Sequence, residues 1–211
     1  MGIDMATVDA PFGFQPYKEL LRANYYVVQT APTIAFYHGD LVTLSGGATL
    51  ISTPHFGYMP YVDDANVVAT GEDIVGSVIG VFDEDLNPIN YMAVGRVGNS
   101  TIAGYLLIAD HPQQIFVAQE DADGNALDLA EGMSNADAIT PALNAGNTST
   151  GRSKYEIDSS TAANTSTLML RLLGPHPDDT PATDTYWCRW LCMINTHHFG
   201  NVGITGITNT G

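Results

Sequence analysis

The sequence predicts a mainly β protein: a short-stranded antiparallel barrel or sandwich with an extended N-terminal arm and a second β-rich segment at the C-terminal end. Runs rich in β-branched and aromatic residues alternate with Gly, Pro, Asn and Asp. Charged residues make up 14% and hydrophobic residues 45%, so Thr, Ser, Asn and Gly must cover much of the surface. Helical spacing is confined to "YKELLRA", two turns at most. At 211 residues the chain can bury a core without disulfides.

Residues 1–30 are predicted to be the N-terminal arm, because aromatic side chains occur there without strand periodicity. Such side chains must pack on the chain's own barrel or on a neighbouring copy, since a monomer seldom leaves an aromatic patch in water. We therefore predict an interface that contains Phe12, Phe14, Tyr17, Tyr25 and Tyr26.

Residues 31–119 are predicted to form the barrel or sandwich core. Gly76 and Gly80 lie four positions apart, on one face of a strand, where they allow a sharp bend or the approach of another backbone. The predicted strands are "TIAFYH", "LVTLS", "ATLIST", "IVGSVIGVF", "INYMAVGRV", "AGYLLIAD" and "QQIFVAQE".

Residues 120–150 are predicted to be a loop-rich linker, and residues 151–211 a β-rich segment with its own core or a share in the first. Strands are expected in "SKYEIDSS", "STLMLRLLG" and "TYWCRWLCMINTH". On the last of these, Cys188 and Cys192 would have Cα atoms ~13 Å apart, beyond disulfide reach. Buried thiols of this kind fit a reducing compartment.

The charge balance and hydropathy exclude two classes of partner. Seven Lys and Arg against 23 Asp and Glu give a net charge of −16, which repels nucleic acid. No apolar run approaches the ~18 residues of a membrane span, and the N-terminus lacks the pattern of a secretory signal. A soluble protein made in the cytoplasm is expected.

The acidic loop of residues 119–131, "QEDADGNALDLAE", partly matches a calcium-binding loop. With Gly124 as the sixth position, Asp121 and Asp123 occupy the third and fifth, but Gln119 and Ala130 occupy the first and twelfth. Because two ligands are missing, the sequence favours a solvated β-turn. Binding of calcium by this loop at an assembly interface is the alternative.

No nucleophile, nucleotide or paired-carboxylate motif predicts catalysis, so neither an enzyme nor a cofactor is expected. The chain has no G-x-S-x-G, Walker or G-x-G-x-x-G sequence. Its other acidic groups, Asp63–Asp64, Glu72–Asp73 and Asp83–Glu84–Asp85, lie in predicted solvated turns.

His197 and His198 are adjacent at the end of a predicted strand, so they should point to opposite faces and cannot easily share one metal. We predict a strand end that hydrogen-bonds its own loop. A hydrolase or a binding module would instead require that a carboxylate and several imidazoles converge in one pocket, drawn from His38, His55, His111, His197 and His198.

The order of landmarks along the chain resembles a family of tailed-phage virion proteins, the head decoration or capsid cement proteins. The landmarks are "VDAPFGFQP", "IAFYHGDLVTL", "DIVGSVIGVF", "YLLIADHPQQIFVAQED", "GNTSTGRSKYEIDSSTAANTSTLMLRLLG" and "CMINTHHFGNVGITG". The Pro-rich stretch "GPHPDDTPATD" departs from the pattern.

The resemblance implies a protein on the outer surface of an assembled phage head, commonly a trimer, that stabilises the shell. Its partners would be the major capsid protein and copies of itself. It would be located on the exterior of the virion, after assembly in the host cytoplasm. The resemblance implies no catalytic residues. Asn195 with His197 or His198 would be a sequence signature at the end of a strand, where these residues order the final turn. Another virion component, such as a head-fibre base, minor capsid protein or tail protein, remains an alternative, and the major shell subunit is disfavoured by the lack of a long helix.

Overall fold

The computed structural model describes residues 8–51, 57–64, 73–99, 101–121, 123, 125–139, 146–181 and 186–200. A closed five-stranded barrel and a six-stranded antiparallel sheet dominate these ranges, which confirms the predicted mainly β fold. No helix within the described ranges has the length and apolar character of a bilayer-spanning helix. The strands are β1 (Gln15–Pro16), β2 (Ala23–Gln29), β3 (Leu41–Ile51), β4 (Gly57–Asp64), β5 (Gly76–Phe82), β6 (Ile102–Ala109), β7 (Phe116–Gln119), β8 (Asn135–Ile139), β9 (Gly146–Asn147), β10 (Arg152–Ser153), β11 (Glu156–Ala163), β12 (Leu170–Pro175) and β13 (Arg189–Ile194).

The barrel closes in the order β2-β4-β3-β5-β6. Its neighbours are antiparallel except β2 and β4, which pair in parallel through Val27 and Tyr61. An odd number of strands cannot close with every pair antiparallel, so one parallel pair is geometrically required. The barrel interior is filled by Tyr26, Val28, Phe36, Val42, Val62, Val75, Val78, Val81, Met92, Ala103, Leu106 and Ile108.

The second sheet has the order β1-β7-β13-β12-β8-β11 and shares its core with the barrel. Trp190 and Phe116 from the sheet belong to the same buried apolar cluster as Leu41, Ile74 and Ala109 from the barrel region. The C-terminal β-rich segment therefore packs on the barrel instead of forming a separate core.

The segment that the sequence assigned to the arm lies against its own chain. Residues 15–16 pair with β7, and residues 23–29 form the barrel strand β2. Phe14 is fully buried in the shared core, and its carbonyl accepts a 2.6 Å hydrogen bond from the Ser77 hydroxyl. Only the part before Ala23 lies outside the barrel.

Several segments differ from their sequence-based predictions. "LVTLS" and residues 48–51 of "ATLIST" fall in one strand, β3. By contrast, "TIAFYH" and "INYMAVGRV" form no strand and meet in the bridge Phe36–Met92. The predicted linker includes β8 and a 3₁₀ turn at Leu129–Glu131, which begins with a capping box between Asp128 and Glu131. Tertiary pairing with β11 and β12 extends the alanine-rich stretch that forms β8.

Gly76 allows another backbone segment to approach closely, as the sequence predicts. A Cβ atom at Gly76 would overlap the carbonyl oxygen of Ala109 on the neighbouring chain segment. Gly76→Ala should therefore lower the free energy of unfolding by about 2–3 kcal/mol, measured by urea denaturation.

The matched control is Gly95→Ala, because a Cβ atom at Gly95 meets no atom within 4 Å. Its only cost is the left-handed φ of 67°, about 1 kcal/mol. Equal losses in the two variants would contradict a steric role for Gly76.

Candidate functional site

Three aspartates form an acidic cluster, here defined as Asp121, Asp123 and Asp158. A carboxylate oxygen from each lies within 4.8 Å of those of the other two. Asp121 follows β7, Asp123 lies in the loop beyond, and Asp158 comes from β11. The acidic cluster is thus assembled from two distant parts of the chain.

Strand register explains why these carboxylates meet. Glu120 and Ile157 form a parallel bridge, and the Asp121 amide donates to the Ile157 carbonyl at 3.0 Å. Side chains alternate along each strand, so Asp121 and Asp158 point to the same side while Glu120 and Ile157 point to the other. The same alternation places Glu156 on the side of Asp158.

Ser159 lies at the centre of the cluster's hydrogen bonds. Its hydroxyl oxygen is 2.8 Å from Asp121 Oδ1, 3.2 Å from Asp123 Oδ1 and 2.5 Å from the Asn125 carbonyl oxygen. Its amide donates to Asp121 Oδ1 at 3.1 Å. The single hydroxyl proton of Ser159 therefore faces three oxygen acceptors, and two of these also accept from backbone amides: Asp121 Oδ1 from Ser159, and Asp123 Oδ1 from Asn125 at 3.4 Å.

Two buried glutamates adjoin the cluster in sequence, Glu120 on the opposite side of the strands and Glu156 on the same side. Glu120 accepts from the amides of Leu127 at 2.7 Å and Cys188 at 3.1 Å. Glu156 is 6% exposed, and its Oε1 has no hydrogen-bond partner among the residues that the structure describes. Burial raises the pKa of Glu120 to about 7 and that of Glu156 to about 8.

The structure corrects the prediction of a solvated turn at Glu120 and Asp121, which are buried. Asp121 is 9% exposed, and burial raises its pKa, with the charges of Asp123 and Asp158 adding to the shift. Asp123 alone is exposed, as a turn residue would be. The "DAD" sequence signalled two of the carboxylates, but nothing in the sequence indicated that Asp158 would join them.

A surface cavity beside His197 is a second candidate functional site. A cavity of about 570 Å³ is lined by polar and aromatic side chains that include Arg22, His111, Arg171, Asn195, His197 and Phe199. The cavity thus brings together His111 and His197, two of the five histidines named above as candidate members of a catalytic pocket.

Neither imidazole in this cavity is arranged as a base held by a carboxylate. The Nδ1 atom of His111 accepts from the Gln113 amide at 3.1 Å, and that of His197 accepts from the Phe199 amide at 3.0 Å. Burial lowers the pKa of His197 to about 4, against the opposing charge of Asp110. His197 is therefore neutral at pH 7.

The two adjacent histidines point to different environments, as the sequence predicts. His197 is buried and bridges to Ile74, whereas His198 is exposed and lies edge-on to Phe199 at 5.1 Å. Asn195 donates to the carbonyls of Ser166 and Leu168 and so holds the end of β13 to the loop between β11 and β12.

Among the described residues, the other predicted histidines and acidic pairs do not line that cavity. His38 bridges to Arg152, and His55 lies outside the described residues. Asp63 and Asp64 end strand β4, which corrects their assignment to a turn. Glu72 is outside the described residues, and Asp83–Glu84–Asp85 occupies a turn as expected.

The five predicted interface aromatics divide by burial. Phe14 and Tyr26 are buried in their own chain, so they present no surface to a partner in this structure. Phe12, Tyr17 and Tyr25 are partly exposed, and for them the interface stays a prediction. Tyr17 lies edge-on to His176 with 5.5 Å between ring centroids, and Tyr25 makes the same type of contact with Phe82.

Cys188 and Cys192 are buried thiols that form no disulfide. Burial raises the pKa of Cys188 to about 12, to which the charge of Glu120 adds, and burial also raises that of Cys192. Both are therefore protonated at neutral pH and contribute to packing.

Comparisons of the chain with protein-family models, with curated proteins and with solved structures gave no significant match.

Proposed function

We propose that this chain is a head decoration protein of the capsid cement type, which binds the outside of an assembled phage shell and associates as a trimer. The ordered sequence landmarks support this proposal, and a mainly β fold with a closed barrel is compatible with it. The partner is the major capsid protein.

The observation that carries the proposal is an exposed apolar surface on the segment before the barrel. The Leu20 patch, defined as Leu20, Leu21 and Phe199, has side chains that are 49%, 49% and 47% exposed. The Arg22 guanidinium lies over the Phe199 ring at 5.8 Å, so Phe199 lies against the side chain of the residue that follows Leu21. Exposed apolar side chains that lie together are typical of protein contact surfaces.

Charge favours a shell with a basic contact surface. The chain carries a net charge of −16, and three of its seven basic side chains are held in ion pairs, Arg22–Asp110, Arg96–Glu84 and Arg189–Asp179. Attachment of the protein to the shell should therefore weaken as ionic strength rises. Many copies bound to one shell lattice would combine their weak contacts into stable attachment.

Replacing Leu20 and Leu21 by serine tests the patch without disturbing the barrel. Deletion of residues 1–30 is unsuitable, because it removes β2 and the buried Phe14. The double variant should occupy shells stripped of the protein at least about tenfold less than wild type, measured by co-sedimentation and electron microscopy. Urea denaturation should show an unchanged free energy of unfolding within about 0.5 kcal/mol.

The matched control replaces Val94 and Val97, which are also exposed, by serine. This control should occupy the shell as wild type does, and full occupancy by the Leu20/Leu21 variant would overturn the patch as the contact. The copy number relative to the major capsid protein distinguishes decoration from a tail or fibre component, because only a decoration protein approaches the abundance of the shell subunit. Light scattering of the isolated chain should give three times its 22.5 kDa mass.

A further inference from the structure

We propose that the acidic cluster of Asp121, Asp123 and Asp158 binds a divalent cation, and that the cation is Ca²⁺. This site goes beyond the proposed function and does not depend on it, since binding can be measured on the isolated chain.

The available ligands are hard oxygen atoms. The three carboxylates lie within 4.8 Å of one another, and the Asn125 carbonyl and the Ser159 hydroxyl meet at the same place. Ca²⁺ accepts six to eight oxygen ligands in irregular geometry, whereas Mg²⁺ requires a near-ideal octahedron. A mixture of strand and loop ligands therefore favours Ca²⁺.

The hydrogen bonds that the structure describes use only part of the acceptor capacity of the three carboxylates. The Ser159 hydroxyl has one proton, yet three oxygens lie within 3.2 Å of it: Asp121 Oδ1, Asp123 Oδ1 and the Asn125 carbonyl. One hydroxyl proton satisfies one of these acceptors at a time, and backbone amides also donate to two of them, Ser159 to Asp121 Oδ1 at 3.1 Å and Asn125 to Asp123 Oδ1 at 3.4 Å. A cation would satisfy several acceptors simultaneously.

Glu156 provides an independent indication of a positive ligand. Its side chain is more than nine-tenths buried, and its Oε1 finds no hydrogen-bond partner within the described part of the chain. Strand alternation directs it to the side occupied by Asp121 and Asp158. The charged groups that act on it are Asp9, Asp121 and Lys154, so negative charge predominates. A cation at the cluster would offset that excess.

Calorimetric titration of the isolated chain with CaCl₂ tests the site directly. We expect one site with a dissociation constant of about 10⁻⁵–10⁻³ M and weaker binding of Mg²⁺. Asp158→Asn should weaken Ca²⁺ binding at least about tenfold, because it removes a charged ligand. The Asn side chain keeps the Oδ1 acceptor for the Ser160 amide and hydroxyl, so the local turn is preserved.

The control is Asp85→Asn, which neutralises an exposed aspartate in the turn between β5 and β6. Its Ca²⁺ affinity should stay within about twofold of wild type, as expected for a change in long-range charge alone. Absence of Ca²⁺ binding by wild type, or equal weakening by the two substitutions, would overturn the site.

Thermal unfolding gives a second readout whose sign distinguishes a ligand from a structural residue. In EDTA, Asp158→Asn should raise the melting temperature, because it relieves repulsion among the three carboxylates. In millimolar Ca²⁺, wild type should gain more than the variant, because binding stabilises the folded state. A lower melting temperature for the variant in both solutions would assign Asp158 a purely structural role and overturn the proposal.

Discussion

Asp110→Ala should lower the free energy of unfolding by about 3–5 kcal/mol at pH 7, the largest loss expected from a single polar side chain in this fold. Asp110 is buried just after β6, where its carboxylate accepts from Arg22 Nε at 2.7 Å, Asn24 Nδ2 at 2.7 Å and Tyr26 Oη at 2.8 Å. Its removal would leave the buried Tyr26 hydroxyl and a guanidinium without this acceptor.

Denaturation by urea at several pH values should separate this network from simple loss of volume. Burial alone would raise the pKa of Asp110, but the hydrogen bonds from Asn24, Arg22 and Tyr26 outweigh it and lower the pKa below its ordinary 3.8. A carboxyl whose folded pKa is lowered stabilises the protein above its unfolded pKa, and this contribution is lost as pH falls through the folded value. The cost of Asp110→Ala should therefore shrink below about pH 4.

Tyr26→Phe is the matched control, since it removes one donor and keeps the ring inside the barrel. It should cost about 1–2 kcal/mol, because the carboxylate retains its bonds to Arg22 and Asn24. A loss of less than 1 kcal/mol for Asp110→Ala, about the effect of a surface substitution, would show that the network contributes little.

The sequence indicated most of the barrel because alternating β-branched residues and turn chemistry are local signals. It missed β4, whose sequence "GYMPYVDD" contains Gly, a Pro and an acidic pair that are typical of turns. Its strand conformation is supplied by β3, with which Tyr58 pairs at Leu50, and by the parallel contact with β2. Pairing of this kind depends on distant residues and cannot be read from a short window.

The arm and the acidic cluster show the same limit. Aromatic content correctly indicated that the first residues must pack on something, but only the fold reveals that Phe14 enters the shared core. Likewise, Asp121 and Asp123 were visible as a partial motif, while Ser159 reaches them from 38 positions beyond Asp121. Spacing within a loop predicts ligands only when the loop supplies them all.

Glu156→Gln should stabilise the protein, and the gain should increase with pH. In EDTA, we expect an increase in the free energy of unfolding of about 2–4 kcal/mol at pH 8.5 and less than about 1 kcal/mol at pH 5. The reason is that Glu156 is buried with an unpartnered Oε1, and burial, followed by the charges of Asp9 and Asp121, raises its pKa to about 8 against the opposing Lys154.

The sign follows from proton binding. Between pH 4.5, the ordinary value, and about 8, the folded protein retains a proton on Glu156 that the unfolded chain has released. Stability therefore falls as pH rises through this interval. Glu120, with its pKa raised to about 7, contributes in the same direction, whereas His197 opposes it only between about pH 4 and 6.5. Measurements from pH 7 to 8.5 consequently isolate the carboxyl groups from that imidazole.

Glu19→Gln provides the control, because Glu19 is exposed and only its backbone carbonyl is used, as an acceptor for Gln114 Nε2. It should change stability by less than about 0.5 kcal/mol at either pH. A pH-independent effect of Glu156→Gln, or destabilisation at pH 8.5, would contradict the assignment of a buried, charge-crowded carboxyl.

Calcium links this pH dependence to the acidic cluster. A bound cation would favour the ionised form of Glu156, so saturating Ca²⁺ should flatten the decline in wild-type stability above pH 7 and reduce the gain from Glu156→Gln. Asp158→Asn should prevent that flattening while leaving Glu156 itself in place. The contrary outcome is that Ca²⁺ binds to wild type without changing how its stability depends on pH above 7. That result would show that Glu156 is too far from the cation to interact with it, so that protonation alone balances the excess negative charge around its carboxyl.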